Sequence, residues 1–246
     1  MVRSVNEWDC GARSVLDTGR YAIDTFTAPG GIRAEEELFD RFCQSEGDRV
    51  LSLWTQSRCL VTTPAAARAT GFQAAARASN LRGWPVILRR SGGATVFHAP
   101  DVLCVTLIVE GSTDRPSIDS AYIHFAALLK DALALLGVKA TTGEAPGAPC
   151  DGRFNILVNA RKLAGTAMRT RASGARLCLL AHAAFLIGER FADGLAAVEK
   201  FEREIGLSST YPADRSVSLT DLVGPSGSAR FPAALERAFS LSPAMA

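Results

Sequence analysis

The chain of 246 residues has no apolar run approaching the ~20 residues that a membrane-spanning helix needs. A membrane role is therefore not expected. It also lacks an excess of either charge. Against 25 Asp and Glu stand 27 Lys and Arg, a net +2, so no electrostatic footprint points to nucleic acid or an anionic surface. Histidine is scarce, with three in all. The six cysteines, at 10, 43, 59, 104, 150 and 178, include no pair at the short spacing of a zinc or redox site. No metal site is expected. The N-terminal stretch, with Asp9, Arg13 and Asp17 among mostly small residues, lacks the apolar core of a secretory leader. Reduced thiols and a cytoplasmic location follow as expectations.

What is present is ordinary globular material, 48% hydrophobic and 21% charged. A chain of this length should bury roughly 70–75% of its unfolded surface. Arg33 to Cys43 carries Leu38, Phe39, Phe42 and Cys43 on one helical stripe, with Glu35, Glu36 and Glu37 near its start, where the helix dipole favours them. A strand-like stretch precedes it near Tyr21 to Phe26, with a stop at Pro29-Gly30-Gly31. Val50 to Trp54 and Arg58 to Thr62 read as strands, and Pro64 opens an Ala-rich helix to about Ser79. Pro85 to Arg89 is a short strand, and Leu103 to Val109 is apolar throughout, as a strand buried on both faces is.

Ser117 is placed to cap a long helix whose stripe is Ile118, Tyr122, Phe125, Leu129, Leu133 and Leu136, closed by Gly137. Phe154 to Val158 and Lys162 to Arg169 form a hairpin turning at Asn159-Ala160. Leu177 to Ile187 is a further strand and Phe191 to Ile205 a further helix, with short helices at Ser218 to Val223 and Phe231 to Phe239. Strands punctuated by helices predict an α+β fold, a mixed β-sheet flanked by helices. One catalytic domain over 1–246 is expected, with an irregular segment at 1–32 and a short helical tail at 207–246.

Two segments stand out. Arg89-Arg90-Ser91-Gly92-Gly93-Ala94-Thr95-Val96-Phe97-His98 is a Gly-rich loop between strands, where backbone amides can approach an anion or a carbonyl. Some fifty residues on, Cys150-Asp151-Gly152-Arg153-Phe154-Asn155-Ile156 precedes Arg161-Lys162-Leu163-Ala164-Gly165-Thr166-Ala167. The small residues around Lys162 let its ammonium reach into a narrow slot.

Taken in order, with His182 following, these segments resemble the lipoate/octanoate branch of the cofactor-transferase family, which also contains the biotin-protein ligases. That family shows Arg-Arg-x-Ser-Gly-Gly-Gly-x-Val-x-His and then Asp-Gly-Arg-Lys-x-x-Gly-x-Ala. The resemblance runs from about Arg33 to Ile187. Ala94 replaces the third loop glycine, Ala99 the acidic residue after the histidine, and Ala160 the glycine before Arg-Lys.

The resemblance implies a biotin/lipoate protein ligase type of catalytic domain. It makes Lys162 an electrophilic stabiliser of the acyl group, where strand position alone reads as an exposed hairpin lysine. Cys150 resembles the acyl-accepting cysteine of octanoyl amidotransferases; by composition alone it is a small buried hydrophobe. His98 and His182 are placed to orient the acceptor amine or the acyl group. Arg90, Ser91, Gly92, Gly93, Ala94, Gly165, Thr166 and Ala167 would line the substrate pocket. Alternation allows only one of Arg89 and Arg90 to reach it, and Arg90 lies nearer the loop.

The expected activity is transfer of an octanoyl or lipoyl group to the acceptor lysine of apo lipoyl domains, in 2-oxoacid dehydrogenase E2 or the glycine-cleavage H protein, through a Cys150 thioester. An acyl carrier protein is the expected donor, with lipoate or octanoate the group carried and no further cofactor. The alternative is an ATP- and Mg-dependent lipoate-protein ligase that forms lipoyl-adenylate. Such ligases often carry an extra C-terminal domain, and the residues after Ile187 leave little room for one of ~100–150 residues. A non-catalytic lipoyl-binding module is the third reading.

Overall fold

β6 (Val102–Gly111) is the apolar run anticipated above, and the fold is built outward from it. The computed structural model describes residues 23–45, 47, 49–111, 118–174 and 176–242. Before β6 come β1 (Asp24–Phe26), α1 (Gly30–Gln44), β2 (Arg49–Gln56), β3 (Cys59–Thr62), α2 (Phe72–Leu81), β4 (Val86–Leu88) and β5 (Val96–His98). After it come α3 (Ile118–Ala134), β7 (Thr141–Gly143), β8 (Asn155–Val158), β9 (Arg161–Ser173) and β10 (Arg176–Leu186). The chain then runs through α4 (Phe191–Glu204), α5 (Leu219–Ser228) and α6 (Phe231–Leu241).

Seven strands make one sheet in the order β1-β2-β6-β10-β9-β8-β7, and a three-stranded sheet has the order β4-β3-β5. β1 pairs parallel with β2 and β3 with β4, while the other pairs are antiparallel. This is the mixed sheet flanked by helices that the alternation of elements predicts.

Both faces of the large sheet are covered, which is why β6 reads as unbroken apolar sequence. On one face Leu103, Val105, Leu107, Leu179, Ala181 and Phe185 pack on Phe125, Leu129 and Leu133 of α3 and on Phe231 and Leu235 of α6. The Phe185 and Phe231 rings meet edge to face at 4.8 Å. Each of the Leu, Val and Phe side chains contributes roughly 1.5–3 kcal/mol by leaving water. The tail from 207 onward is therefore part of the main core.

The opposite face takes the alternate residues of each strand. There Ile108, Cys178 and Leu180 lie under Phe39, Phe42 and Cys43 of α1. His182, two residues beyond Leu180 on β10, is thereby turned toward α1 as well. The small sheet covers the remainder of this face, with Val61 and Cys59 against Trp54, Cys104 and Ile32.

Several local expectations are corrected. Pro29-Gly30-Gly31 begins α1 rather than stopping the chain, so residues 24–32 are not irregular. A Cβ on Gly31 would fall 2.3 Å from the Trp54 ring, so only glycine lets α1 press this closely on β2. The helix expected from Pro64 is broken: a 3₁₀ turn at Ala66–Arg68 precedes α2, and Gly71 at φ 87 separates them. Ile118 is exposed rather than part of the α3 stripe. Ser117 and the chain before Ile23 lie outside the described residues. Gly137 at φ 78 does close α3, with Val138 N–H donating back to the Leu133 carbonyl at 3.0 Å. At α5, Ser218 and Asp221 exchange the two bonds of a capping box.

Candidate active site

Between the two sheets lies a cavity of about 790 Å³, counting its open mouth. Apolar side chains make most of its wall, among them Ile32, Val61, Phe97, Val102, Leu186 and Leu195. Arg89, Cys150, Lys162, Glu35 and His182 supply its polar groups. An apolar cavity with a few convergent polar groups suits an apolar ligand with one reactive end.

The hairpin β8–β9 positions Lys162. Asn159 and Ala160 at its tip both have positive φ, 50 and 60, the turn that matches the twist of paired strands. Lys162 is buried, not the exposed hairpin lysine that strand position suggests. Its ammonium folds back over Gly165, where a Cβ would lie 3.2 Å from Nζ. It donates to the carbonyls of Pro149 at 2.5 Å and Cys150 at 3.0 Å. Burial pushes its pKa down to about 8; the charges of Cys150 and Asp151 work against this, and Arg89 adds to it.

Cys150 itself has φ 53, in the left-handed region that non-glycine residues rarely adopt. Several contacts hold it there. Asp151 accepts from the Ala145 amide at 2.5 Å, and Asn155 donates to the Gly152 carbonyl at 2.9 Å. Phe154 stacks on Tyr122 of α3 at 4.6 Å, with the Arg153–Asp119 pair beside it. Thr166 ties the Phe154 carbonyl to β9 at 2.8 Å.

The Gly-rich loop meets this cysteine directly. The amide of Ala94 donates to the Cys150 sulfur at 3.2 Å, so residue 94 contributes its backbone rather than its side chain. Arg89 shapes the loop from within. Its guanidinium donates to the carbonyls of Val61 at 2.8 Å, Gly92 at 3.0 Å and Ala94 at 2.7 Å. The expected choice between the two arginines is thus reversed. β4 ends at Leu88, so strand alternation does not govern them, and Arg90 points outward to Glu36 at 3.7 Å.

The histidines differ. His98 is buried, receives Gln56 Nε2 on Nδ1 at 3.0 Å, and touches Cys104 at 3.5 Å. Burial first, then Arg89 and His182, push its pKa down to about 3, so it stays neutral. His182 is bonded on both ring nitrogens, to Ser91 Oγ at 2.9 Å and to Glu35 at 2.9 Å. Ser91 is buried behind the loop instead of lining the cavity. Glu35 was missed in the sequence. Its one signal is its place on the inward stripe of α1, in step with Ile32, Phe39 and Phe42. Gly165, Thr166 and Ala167 line the cavity, Gly92 has open space around it, and Gly93 abuts Cys150. His124, on α3, is exposed and bonded to the Ser120 carbonyl at 2.8 Å. Among the described residues no group of three His, Cys, Asp or Glu is arranged to hold a metal, and no helix is long and apolar enough to cross a membrane.

A sequence profile of the lipoyl protein ligase A/B catalytic domain matches residues 31–240. The chain belongs to this family. An uncharacterised protein of Cupriavidus necator is 33% identical over 209 residues, covering 79% of this chain and 82% of its own. The octanoyl-[GcvH]:protein N-octanoyltransferase of Kyrpidia tusciae is 31% identical over 167 residues, 65% of this chain and 56% of that protein. The chain thus spans little more than half the length of that transferase.

Among solved structures, lipoate-protein ligase A bound with ATP matches with a TM-score of 0.68 at 19% identity, over 90% of this chain and 85% of that one. A bipartite lipoate protein ligase of Thermoplasma acidophilum, from a study of an archaeal lipoylation system with its E2 lipoyl domain, gives 0.65 at 18% identity, over 91% and 84%. These likenesses are of fold. As a member of the lipoyl protein ligase A/B family, the chain is an enzyme of the lipoyl/octanoyl transferase or lipoate-protein ligase class.

Proposed function

We propose that this lipoyl protein ligase A/B family member transfers an octanoyl or lipoyl group to a protein lysine through a thioester on Cys150. The observation that carries this reading is the surroundings of one sulfur. Cys150 lines the acyl-sized cavity, its sulfur accepts the Ala94 amide, and the Lys162 ammonium sits on its own carbonyl. A cysteine sulfur held against an oriented amide in such a cavity is placed to act as a nucleophile on an acyl carbonyl.

In the first step the thiolate attacks the donor's acyl carbonyl, and the leaving group departs with a proton. The Ala94 amide lies against the sulfur, where a fixed donor can serve the oxygen that becomes negative, while Lys162 secures the backbone of Cys150. In the second step the acceptor amine attacks the Cys150 thioester, the C–S bond breaks, and sulfur regains a proton. Apolar walls hold the acyl chain and keep water from the thioester.

An acyl carrier protein is the donor suggested by the resemblance. The Kyrpidia relative's name instead gives octanoyl-GcvH as its donor, and we favour an octanoylated H protein here, with apo lipoyl domains as acceptors. The ATP route fits these residues less well. The cavity cations are committed to backbone carbonyls, Arg89 to three and Lys162 to two.

Incubating the protein with octanoylated H protein and an apo lipoyl domain, without ATP, should produce octanoyl-lysine on the acceptor. Formation only when ATP, magnesium and free acid are added would overturn the transferase reading.

A further inference from the structure

The acceptor lysine reaches any such site as an ammonium ion, and an ammonium cannot attack a thioester. A proton must leave before the C–N bond forms and a second after it. Lys162 is poorly suited to take both, since its ammonium is occupied with the Pro149 and Cys150 carbonyls. The cavity holds another device, which the reaction as written above does not use.

Glu35, buried on the inner face of α1, accepts from Thr106 at 2.5 Å, and Thr106 in turn accepts from the Trp54 indole at 3.1 Å. Its carboxylate meets His182 Nδ1 at 2.9 and 3.1 Å. A carboxylate can only accept, so Nδ1 carries the hydrogen and Nε2 presents a lone pair. That lone pair faces the hydroxyl of Ser91 at 2.9 Å. The carboxylate thus fixes the imidazole, with Nε2 the nitrogen able to take a proton.

The line opens on the cavity that holds the reacting sulfur, since Glu35, His182 and Cys150 all line it. Ser91 and Ala94 are three residues apart on one loop, and Ala94 holds Cys150. Across the sheet His182 pairs with Ala167, and Ala184 with Gly165, over which the Lys162 ammonium lies. Gly165 and Ala167, opposite Ala184 and His182, line the same cavity with small side chains.

The geometry points to Glu35 and His182 as a proton relay for the amine nitrogen, with His182, which lines the cavity, the general base, Ser91 the hydroxyl that holds its Nε2 until the amine arrives, and Glu35 the residue that fixes the imidazole. This rests on the Cys150 thioester reading. In the forward step His182 Nε2 exchanges its bond to Ser91 for the acceptor nitrogen and takes one proton from it. The free amine then forms the C–N bond as the C–S bond breaks. The second nitrogen proton goes to the departing sulfur, and the imidazolium releases its proton to solvent. Run in reverse, the same relay protonates a leaving amine, which an amide donor requires and a thioester donor does not.

The charges around the relay suit that role. Burial alone would raise the Glu35 pKa, but His182, the bonds from His182 and Thr106, and His98 together bring it below its ordinary value. The other ionisable groups near Glu35 are His98 on β5, Cys104 on β6, Arg89 after β4 and Arg169 on β9. His98 is held neutral and burial pushes the Cys104 thiol well up, so neither competes for the proton.

The test compares two nucleophiles on one thioester. The protein is loaded with octanoyl-N-acetylcysteamine and then discharged with hydroxylamine, which is already neutral near pH 7, or with Nα-acetyl-lysine amide, which is not. The ratio of the two rates cancels any loss of loading or of shape. In His182→Gln the ratio should fall by about a hundredfold, as the loss of a general base does. Glu35→Gln should lower it by at least tenfold, with part restored in Glu35→Asp.

In both Gln variants discharge by the lysine amide should climb about tenfold per pH unit, following the free amine, because a lysine amine titrates near 10.4. The wild-type slope should be shallower. An unchanged ratio, or slopes that do not differ, would overturn the relay. A wild-type protein that takes no octanoyl group would instead sink the thioester reading beneath it.

Discussion

A methyl group on Gly93 would stand 2.6 Å from the Cys150 sulfur and 2.9 Å from the Arg89 guanidinium. Gly93 also has φ 105, which an L side chain seldom adopts. Gly93→Ala should therefore displace Cys150 from the Ala94 amide and reduce acyl transfer by about a hundredfold, the usual cost of losing an oriented donor. Ala94→Gly, which keeps that amide, should stay within a few-fold of wild type. Rates measured on the same acceptor check both, and equal losses would mean that contact with the sulfur is not what residue 93 provides.

The two arginines should separate cleanly. Arg89→Ala strands the buried Val61 carbonyl and frees those of Gly92 and Ala94 in the loop, and should cost both stability and about a hundredfold in activity. Arg90→Ala removes an exposed side chain whose ion pair with Glu36 is worth about 0–1 kcal/mol, so both properties should stay near wild type. Thermal unfolding and initial rates for the pair decide it.

The site was largely legible in the sequence, because loop chemistry is local. A cysteine in a Pro/Gly loop and a lysine among small residues both point to the cavity they line, whereas the two glycines lie outside its wall, Gly93 against Cys150. What escaped depended on tertiary packing. Glu35 reads as one of three solvated acids, and only its phase with Phe39 and Phe42 shows that it faces inward. Arg89 and Arg90 were assigned by strand alternation, which lapses once β4 ends at Leu88. The segment after Pro64 is Ala-rich, and its break comes where Ala69 turns extended and Gly71 takes a positive φ.

Ala160 offers a stability test. It sits at φ 60, where glycine is at ease and an L-residue pays roughly 1–2 kcal/mol. The extra freedom of glycine in the unfolded chain offsets part of that. Ala160→Gly should stabilise the protein by about 0.5–1 kcal/mol in a denaturant titration, with unchanged transfer activity. A loss of stability would show that the turn is not strained by its Cβ.

Lys162 predicts a pH dependence. Its folded pKa of about 8 lies below the ordinary 10.5, so the cation is present below pH 8 and disappears above it. As a cation that secures Cys150, it should make loading of the protein with octanoate decline as pH rises past about 8. Lys162→Arg, slower because the guanidinium is broader than the slot over Gly165, should keep its residual rate through the same range. Loading that instead rises through pH 8 only when Lys162 is present would make it a base.

The most direct measurement of the central claim is the intact mass of the protein after incubation with octanoylated H protein and no acceptor. The account predicts one added octanoyl group, on Cys150, released by hydroxylamine and absent in Cys150→Ser. Cys43, Cys59, Cys104 and Cys178, all buried, should remain unmodified. Full transfer to a lipoyl domain by Cys150→Ser, with no adduct on the wild-type protein, would contradict it.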